Sequence, residues 1–311
     1  MNHVSHYLLL DGISIQQANS ISSPLTFGFP AVTGFLGAIH ALNRRLDRTD
    51  LEFSGVLIAC HDCDVQNYRP HQYTDYTFNQ SRNPIKKDGS TASIVEEGKA
   101  HLNVTLVLEV NTSTKAAREL RDNPVAFIKR CRTAVTQQRM AGGSVLAIED
   151  VRIFDQSEFP EVRRRLFPAF VLMDARNELI AITQELQKKN PDSTAFDALV
   201  ETATIHHIPN NSQSGADDWS NESIKTGRGW LVPMPVGFQA ISPLFPPETH
   251  QHTRNPEYPS QYVEAVYSLG KWVFPSRLPE EFSDCFWRYS YDSENLYLVT
   301  QTNENHQGEK A

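Results

Sequence analysis

Arg82, Asn83, Lys86 and Lys87 crowd one polar stretch of the chain, with Lys99 a little further on. Cations at this spacing can neutralise successive phosphates, and an amide beside them can read a base edge. A solvated charge run is the plain alternative. Asn19, Ser20, Ser22, Ser23 and Thr26 form a second group, small donors just ahead of a helical pattern, where the positive helix end favours phosphate. Ordinary turn and capping chemistry accounts for any one of them equally well. Gly227-Arg228-Gly229-Trp230 sets an arginine and an aromatic among glycines. That grouping permits close backbone approach and stacking on an unpaired base, or it buries Trp230 where a loop enters a strand. Arg163-Arg164-Arg165 reads equally as an RNA-facing or a partner-facing edge, and Phe238 and Gln239 are weaker candidates.

Catalytic arrangements are missing from the sequence. No GxSxG, HExxH or Walker loop occurs, and Gly142-Gly143 and Gly227-Arg228-Gly229 lack the following Lys-Ser/Thr. His206-His207 points two ways from one backbone with no carboxylate partner implied, and Glu96-Glu97 stands beside Lys99, which favours a salt bridge or turn. Cys60-His61-Asp62-Cys63 resembles half of a zinc site. Structural zinc takes four protein ligands and no second pair stands at a useful distance, so a reduced thiol pair is the expectation, with no metal and no cofactor. The expectation is a protein that is not an enzyme.

The chain has 311 residues, 40% hydrophobic, with 18 prolines and a net charge of −8. That supports an ample core in one domain with insertions or in two small ones. An acidic balance argues against autonomous nucleic-acid binding but leaves room for local basic patches within a larger assembly. The start, MNHVSHYLLLDG, lacks a basic n-region, and no apolar run is long enough to cross a bilayer. A cytoplasmic location without membrane contact is expected.

The elements that must position these residues follow from periodicity. Tyr7–Ile15 and Leu51–Ile58 read as strands, with a helix over 31–46 between them. Gly34-Phe35-Leu36-Gly37 spells a GxxG, but inside a helical pattern it reads as close helix packing. A long polar excursion starting near His61 is expected to hold a basic hairpin with a turn at Asp88-Gly89, before the alternating strand His101–Val110. Helical segments fill 114–140, broken at Pro124 and ended at Gly142-Gly143. Strands are expected at 145–148, 169–173, 230–235 and 296–300, and helices at 178–186, 194–203 and, shorter, at 262–269. Residues 210–226 are expected to be mobile. The order strand, helix, strand, excursion, strand, helix points to a ferredoxin-like or RRM-like start in an α+β fold.

The wording of several segments carries a further signal. RNPIKKDGSTASIVEEGKAHLNV (82–104), SIQQANSISSPLTFGFPAVTGFLGAIHALNRRL (14–46), MAGGSVL (140–146), RRRLFPAFVL (163–172), GWLVPMPVGFQAISPL (229–244) and YSLGKWVFPSRL (267–278) occur in this order. Together they resemble the second Csy subunit of the subtype I-F CRISPR surveillance complex. Ile85-Lys86-Lys87 and Ala31-Val32-Thr33 vary within otherwise similar frames.

The resemblance implies a CRISPR RAMP-type body derived from the RRM, with a thumb-like extension and additional helices. On that reading residues 1–60 and 100–150 form the body and 61–99 the thumb-like insertion. Residues 151–228 form a helical and loop insertion, 229–300 return to the body, and 301–311 are a disordered tail. It implies a non-catalytic subunit that pairs with the large Csy subunit and holds the 5′ handle of the CRISPR RNA. Backbone subunits then assemble on the spacer, and target DNA is met only through the complex. The expected RNA contacts are Asn19, Ser20, Arg82, Asn83, Lys86, Lys87, Lys99 and Arg228. A guide-coating backbone subunit is the alternative, and a repeat-processing endoribonuclease a more distant one.

Overall fold

Leu8, Leu9, Leu10, Ile13 and Ile15 make the first strand a core element, none of them more than 1% exposed. The computed structural model describes residues 3–210, 218–250, 253, 255–293 and 295–301. Its elements begin with β1 (His3–Asn19), α1 (Val32–Leu46), β2 (Leu51–Tyr68), β3 (Thr77–Phe78), β4 (Gln80–Arg82), β5 (Ile94–Glu96) and β6 (Lys99–Thr112). There follow α2 (Thr114–Asp122), α3 (Val125–Thr136), β7 (Arg139–Met140), β8 (Gly143–Asp155), α4 (Phe159–Arg165) and β9 (Phe170–Asp174). The remainder comprises α5 (Arg176–Lys189), α6 (Ala195–Ala203), β10 (His206–Asn210), β11 (Asp218–Glu222), β12 (Trp230–Ala240), β13 (Val263–Val273), β14 (Arg288–Ser293) and β15 (Leu296–Thr300). The described residues divide into two compact units, one drawn from residues 3–172 and 273–287, the other from 173–272 and 288–301.

The first unit is a mixed α/β fold on a large antiparallel sheet ordered β9-β2-β6-β1-β8-β7. Leu8 lies opposite Leu108 and Ile13 opposite Val104, so the apolar rows of β1 and β6 fall in register. Helix α1 buries Val32, Phe35, Leu36, Ile39, Leu42 and Leu46, spaced along one stripe. Gly34 matters for this packing, because a Cβ there would lie 3.1 Å from the Ala141 Cα. Tyr7 stacks on Phe286, with ring centroids 5.5 Å apart, and meets the edge of Phe282 at 5.2 Å. Trp287 is fully buried, its indole N–H donating to the Leu172 carbonyl at 2.9 Å. Burial of a side chain of this size contributes roughly 1.5–3 kcal/mol.

The second unit packs α5 and α6 with β12 and β13 around Leu179, Ile182, Ala198, Leu199, Leu231 and Leu269. Its strands run β14-β15-β12-β13. Thr194 and Asp197 close a reciprocal capping box at the start of α6.

Three local expectations are corrected. Residues 262–269, expected to be a short helix, belong from Val263 onward to strand β13, because Val263–Trp272 pair along β12 from Ala240 to Trp230. A short apolar run fits either period, and the long-range partner decides. The excursion does not leave the sheet at His61: β2 continues to Tyr68 because Asp62 to Gln66 still pair with Asn103 to Lys99 of β6. Part of the stretch expected to be mobile is ordered. Asp218–Glu222 pair with Asn210–His206 as a hairpin, while residues 211–217 lie outside the described residues, as do 302–311 of the tail. Strands at 230–235 and 145–148 are longer than expected, spanning 230–240 and 143–155. No helix among the described residues is long and apolar enough to cross a membrane.

Candidate nucleic-acid interface

The outer ends of β1, β6 and β2 meet where Asn19 lies opposite Lys99 and Lys99 opposite Gln66. Asn19 locks the chain's exit from β1. Its amide N–H donates to the Ile21 carbonyl at 2.9 Å, and its Oδ1 accepts from the Ile21 N–H at 3.2 Å. Ser20 is buried, donating its backbone N–H to Gly98 O at 3.1 Å and accepting from the Gly28 N–H at 2.8 Å. The approach is close enough that a Cβ on Gly98 would fall 2.7 Å from Ser20 Oγ. Ser22, Ser23 and Thr26 bond to one another, both serine hydroxyls lying 2.7 Å from Thr26 Oγ1, which is turn chemistry. Helix α1 starts at the non-capping Ala31 with no acid in its first turn, so neither a cap side chain nor a first-turn carboxylate meets its first N–H groups.

Glu97 ties the second group together. It accepts from Lys99 Nζ at 3.2 Å and from Asn83 Nδ2 at 3.3 Å. The hydrogen bond from Lys99, then its charge, holds the Glu97 carboxyl below its usual range. The structure thus brings Asn19, Ser20, Asn83 and Lys99 to one end of the sheet. Arg82, Lys86 and Lys87 extend from there on the β4–β5 hairpin, where Arg82 lies opposite Ile94. Lys86 and Gly89 close a turn, the Gly89 N–H donating to the Lys86 carbonyl at 2.9 Å. Gly89 has φ 79°, a conformation that favours glycine. All three cations are exposed, and none forms an ion pair among the described residues.

Sequence reasoning missed the neighbouring β2–β3 loop. Arg69 folds this loop about itself, donating to the carbonyls of His71, Gln72 and Thr74, and its guanidinium lies 5.0 Å over the Tyr76 ring. Tyr73 is left 90% exposed, with Tyr68 and Tyr76 also outward. Phe27 meets the edge of Phe78 at 5.5 Å, joining the loop after β1 to β3, and stays exposed. Exposed aromatic rings of this kind suit stacking on unpaired bases. The signal available in the sequence was a tyrosine triad around Arg69-Pro70.

The remaining candidates sit differently. The Arg228 guanidinium is engaged within the second unit, donating to Glu185 at 2.7 Å, Glu178 at 3.3 Å and the Ile224 carbonyl at 3.0 Å. Trp230 is exposed rather than buried. Arg163 donates to the Pro279 carbonyl and lies over the Phe159 and Phe282 rings, while Arg164 and Arg165 pair with Glu161. Phe238 stacks on Tyr297, and the Gln239 amide donates to Asn295 O. His206 does have a carboxylate partner, Glu201, at 2.6 Å, which is a correction: the helix end of α6 supplies what the sequence did not imply. Burial pushes the Cys60 thiol up to about 12 and Cys63 up to about 11, so neither is a ready thiolate. Among the described residues, no three His, Cys, Asp or Glu side chains are grouped to hold a metal ion.

Residues 8–299 match the protein family described as CRISPR-associated protein (Cas_Csy2). The chain is also similar to the CRISPR-associated protein Csy2 of Pseudomonas aeruginosa (strain UCBPP-PA14), with 37% identity over 300 residues and 90% of each chain covered.

Proposed function

The chain belongs to the Csy2 family, as a subunit of the type I-F CRISPR complex, and from that premise we propose that it holds the 5′ handle of the CRISPR RNA without cutting it. It would do so paired with the large Csy subunit. The observation that carries this reading is the row of exposed cations Arg82, Lys86 and Lys87, which form no ion pair among the described residues, rooted beside Asn19, Ser20, Asn83 and Lys99. Phosphate contact by the hairpin fixes the register of the strand, and the amide of Asn83, whose Oδ1 has no partner among the described residues, reads a base. Tyr73 and Tyr76 offer faces for stacking. We assign Arg228 to positioning its own loop, because its donors already meet Glu178 and Glu185.

The body is read as RRM-like. Support comes from the sheet order β8-β1-β6-β2, with helices following β1 and β6, which is the arrangement of a βαββαβ unit. On this reading β3 to β5 and their loops make up the thumb.

Competition between native and scrambled handle RNA on the heterodimer with the large subunit tests the proposal. Native handle should win, and Asn83→Ala should erode the margin. Equal affinity for both RNAs in the unaltered heterodimer would sink the base-reading role. One copy per purified complex is expected, whereas several would favour a guide-coating subunit. Incubation of the pure protein with repeat RNA should leave the RNA intact.

A further inference from the structure

Helix α3 presents an unpartnered outer face with a groove of about 520 Å³ beside it, closed on one side by Arg45 and Leu46 at the end of α1. Two parallel rows four residues apart line it, Ala126-Arg130-Ala134 and Lys129-Thr133-Gln137. Rows of this kind are the ridges between which a second helix seats its own ridge. Ala126, Thr133 and Ala134 are small, so a partner backbone can come close. Arg45, Lys129 and Arg130 are exposed around a largely carbon-lined floor, and among the described residues no carboxylate lines the groove. In a chain of net charge −8 this is a locally cationic surface. It also lies on the helical layer of the first unit, not on the hairpin that carries Arg82, Lys86 and Lys87.

We propose that this groove docks an amphipathic α-helix of another protein, one with apolar residues at i, i+3 or i+4, i+7 spacing flanked by Asp or Glu. The observations favour a helix over a phosphate backbone. Phosphates need cations but gain nothing from an apolar floor, whereas a helix with an acid-flanked apolar stripe matches both floor and rim. Arg130 has a second duty, donating to the Leu46 carbonyl at 2.9 Å at the end of α1. Lys129 and Arg45 are therefore the charges free to meet the partner.

A photo-crosslinking amino acid at Thr133, introduced into the full chain within its assembled complex, tests this. The expected product is a crosslink to one peptide of another protein with the stated apolar spacing and at least two flanking carboxylates. That peptide, synthesised, should bind the purified complex. Binding should fall at least tenfold with Arg45→Glu plus Lys129→Glu, and return when the peptide's own carboxylates are changed to lysine. An unchanged melting temperature and retained CRISPR RNA in the double variant exclude simple misfolding. Crosslinks to nucleic acid, to a second copy of this chain or to nothing at all overturn the proposal. So does peptide binding that ignores the charge reversal.

Discussion

A cation with no carboxylate beside it keeps its full field for a ligand. Arg82, Lys86 and Lys87 form no ion pair among the described residues, although Asp88 follows Lys87 in the turn, whereas Lys99 shares Glu97 with Asn83. Replacing those three exposed cations with alanine should leave the melting temperature unchanged. It should reduce the salt dependence of RNA binding by about 2 units of log–log slope, since each single-strand phosphate contact contributes roughly 0.7. Titration of the heterodimer across several salt concentrations checks this, and an unaltered slope would leave the hairpin as a solvated face. Asn83 and Arg228 should separate cleanly. Asn83→Ala should lower the preference for native over scrambled handle by about 1–3 kcal/mol, the range for a good bidentate base contact in DNA. Arg228→Ala should lower stability by about 1–2 kcal/mol through two partly exposed ion pairs and a carbonyl bond, with the handle preference intact. Urea unfolding and competition binding on the same variants distinguish the two.

At the scale of elements, the interface depends on how closely the segment after β1 approaches the start of β6. Gly98 sets that distance: a Cβ there would lie 2.5 Å from Ile21 Cγ1 and 2.7 Å from Ser20 Oγ. Gly98→Ala should displace the 20–28 loop at a cost of about 1–3 kcal/mol, the usual scale of overpacking. Because Asn19 and Phe27 move with that loop, RNA retention should weaken more than the stability loss alone predicts. Filter binding set beside thermal unfolding reads both. Retention that merely tracks stability would count against a role for this loop in RNA contact. The hairpin is a different case. Gly89 faces open space, so its positive φ, not packing, is what requires glycine there.

For the whole molecule, charge and exposed apolar surface point the same way. A net charge of −8 disfavours lone RNA binding. Phe196 and Val200, one turn apart on α6, stay about half exposed, as do Ile241, Leu244 and Tyr262 in the second unit. On the pairing proposed above, these are residues that the large subunit would cover. Expressed alone, the chain should be poorly soluble or bind handle RNA weakly. Co-expressed with the large Csy subunit, it should elute as a 1:1 heterodimer that binds the handle tightly. Size-exclusion chromatography with light scattering decides this, and a stable monomer with tight handle binding would refute obligate pairing.

Local signals sufficed for what local physics controls. The apolar rows of β1 and β6, the stripe of α1, the helix break at Pro124 and the turn at Asp88-Gly89 are each written in adjacent residues, and the ordered segments carried the family. Tertiary structure decided the features that depend on distant partners. β2 holds its polar second half in the sheet because β6 pairs with it. Residues 263–273 become a strand because β12 lies alongside. The fate of each charge was likewise invisible in the sequence. Arg82 and Arg228 look alike there, yet one projects into solvent and the other meets Glu178 and Glu185, more than forty residues earlier in the chain. Pairing across such distances is set by which strands and helices pack together, and no window of neighbouring residues contains that information.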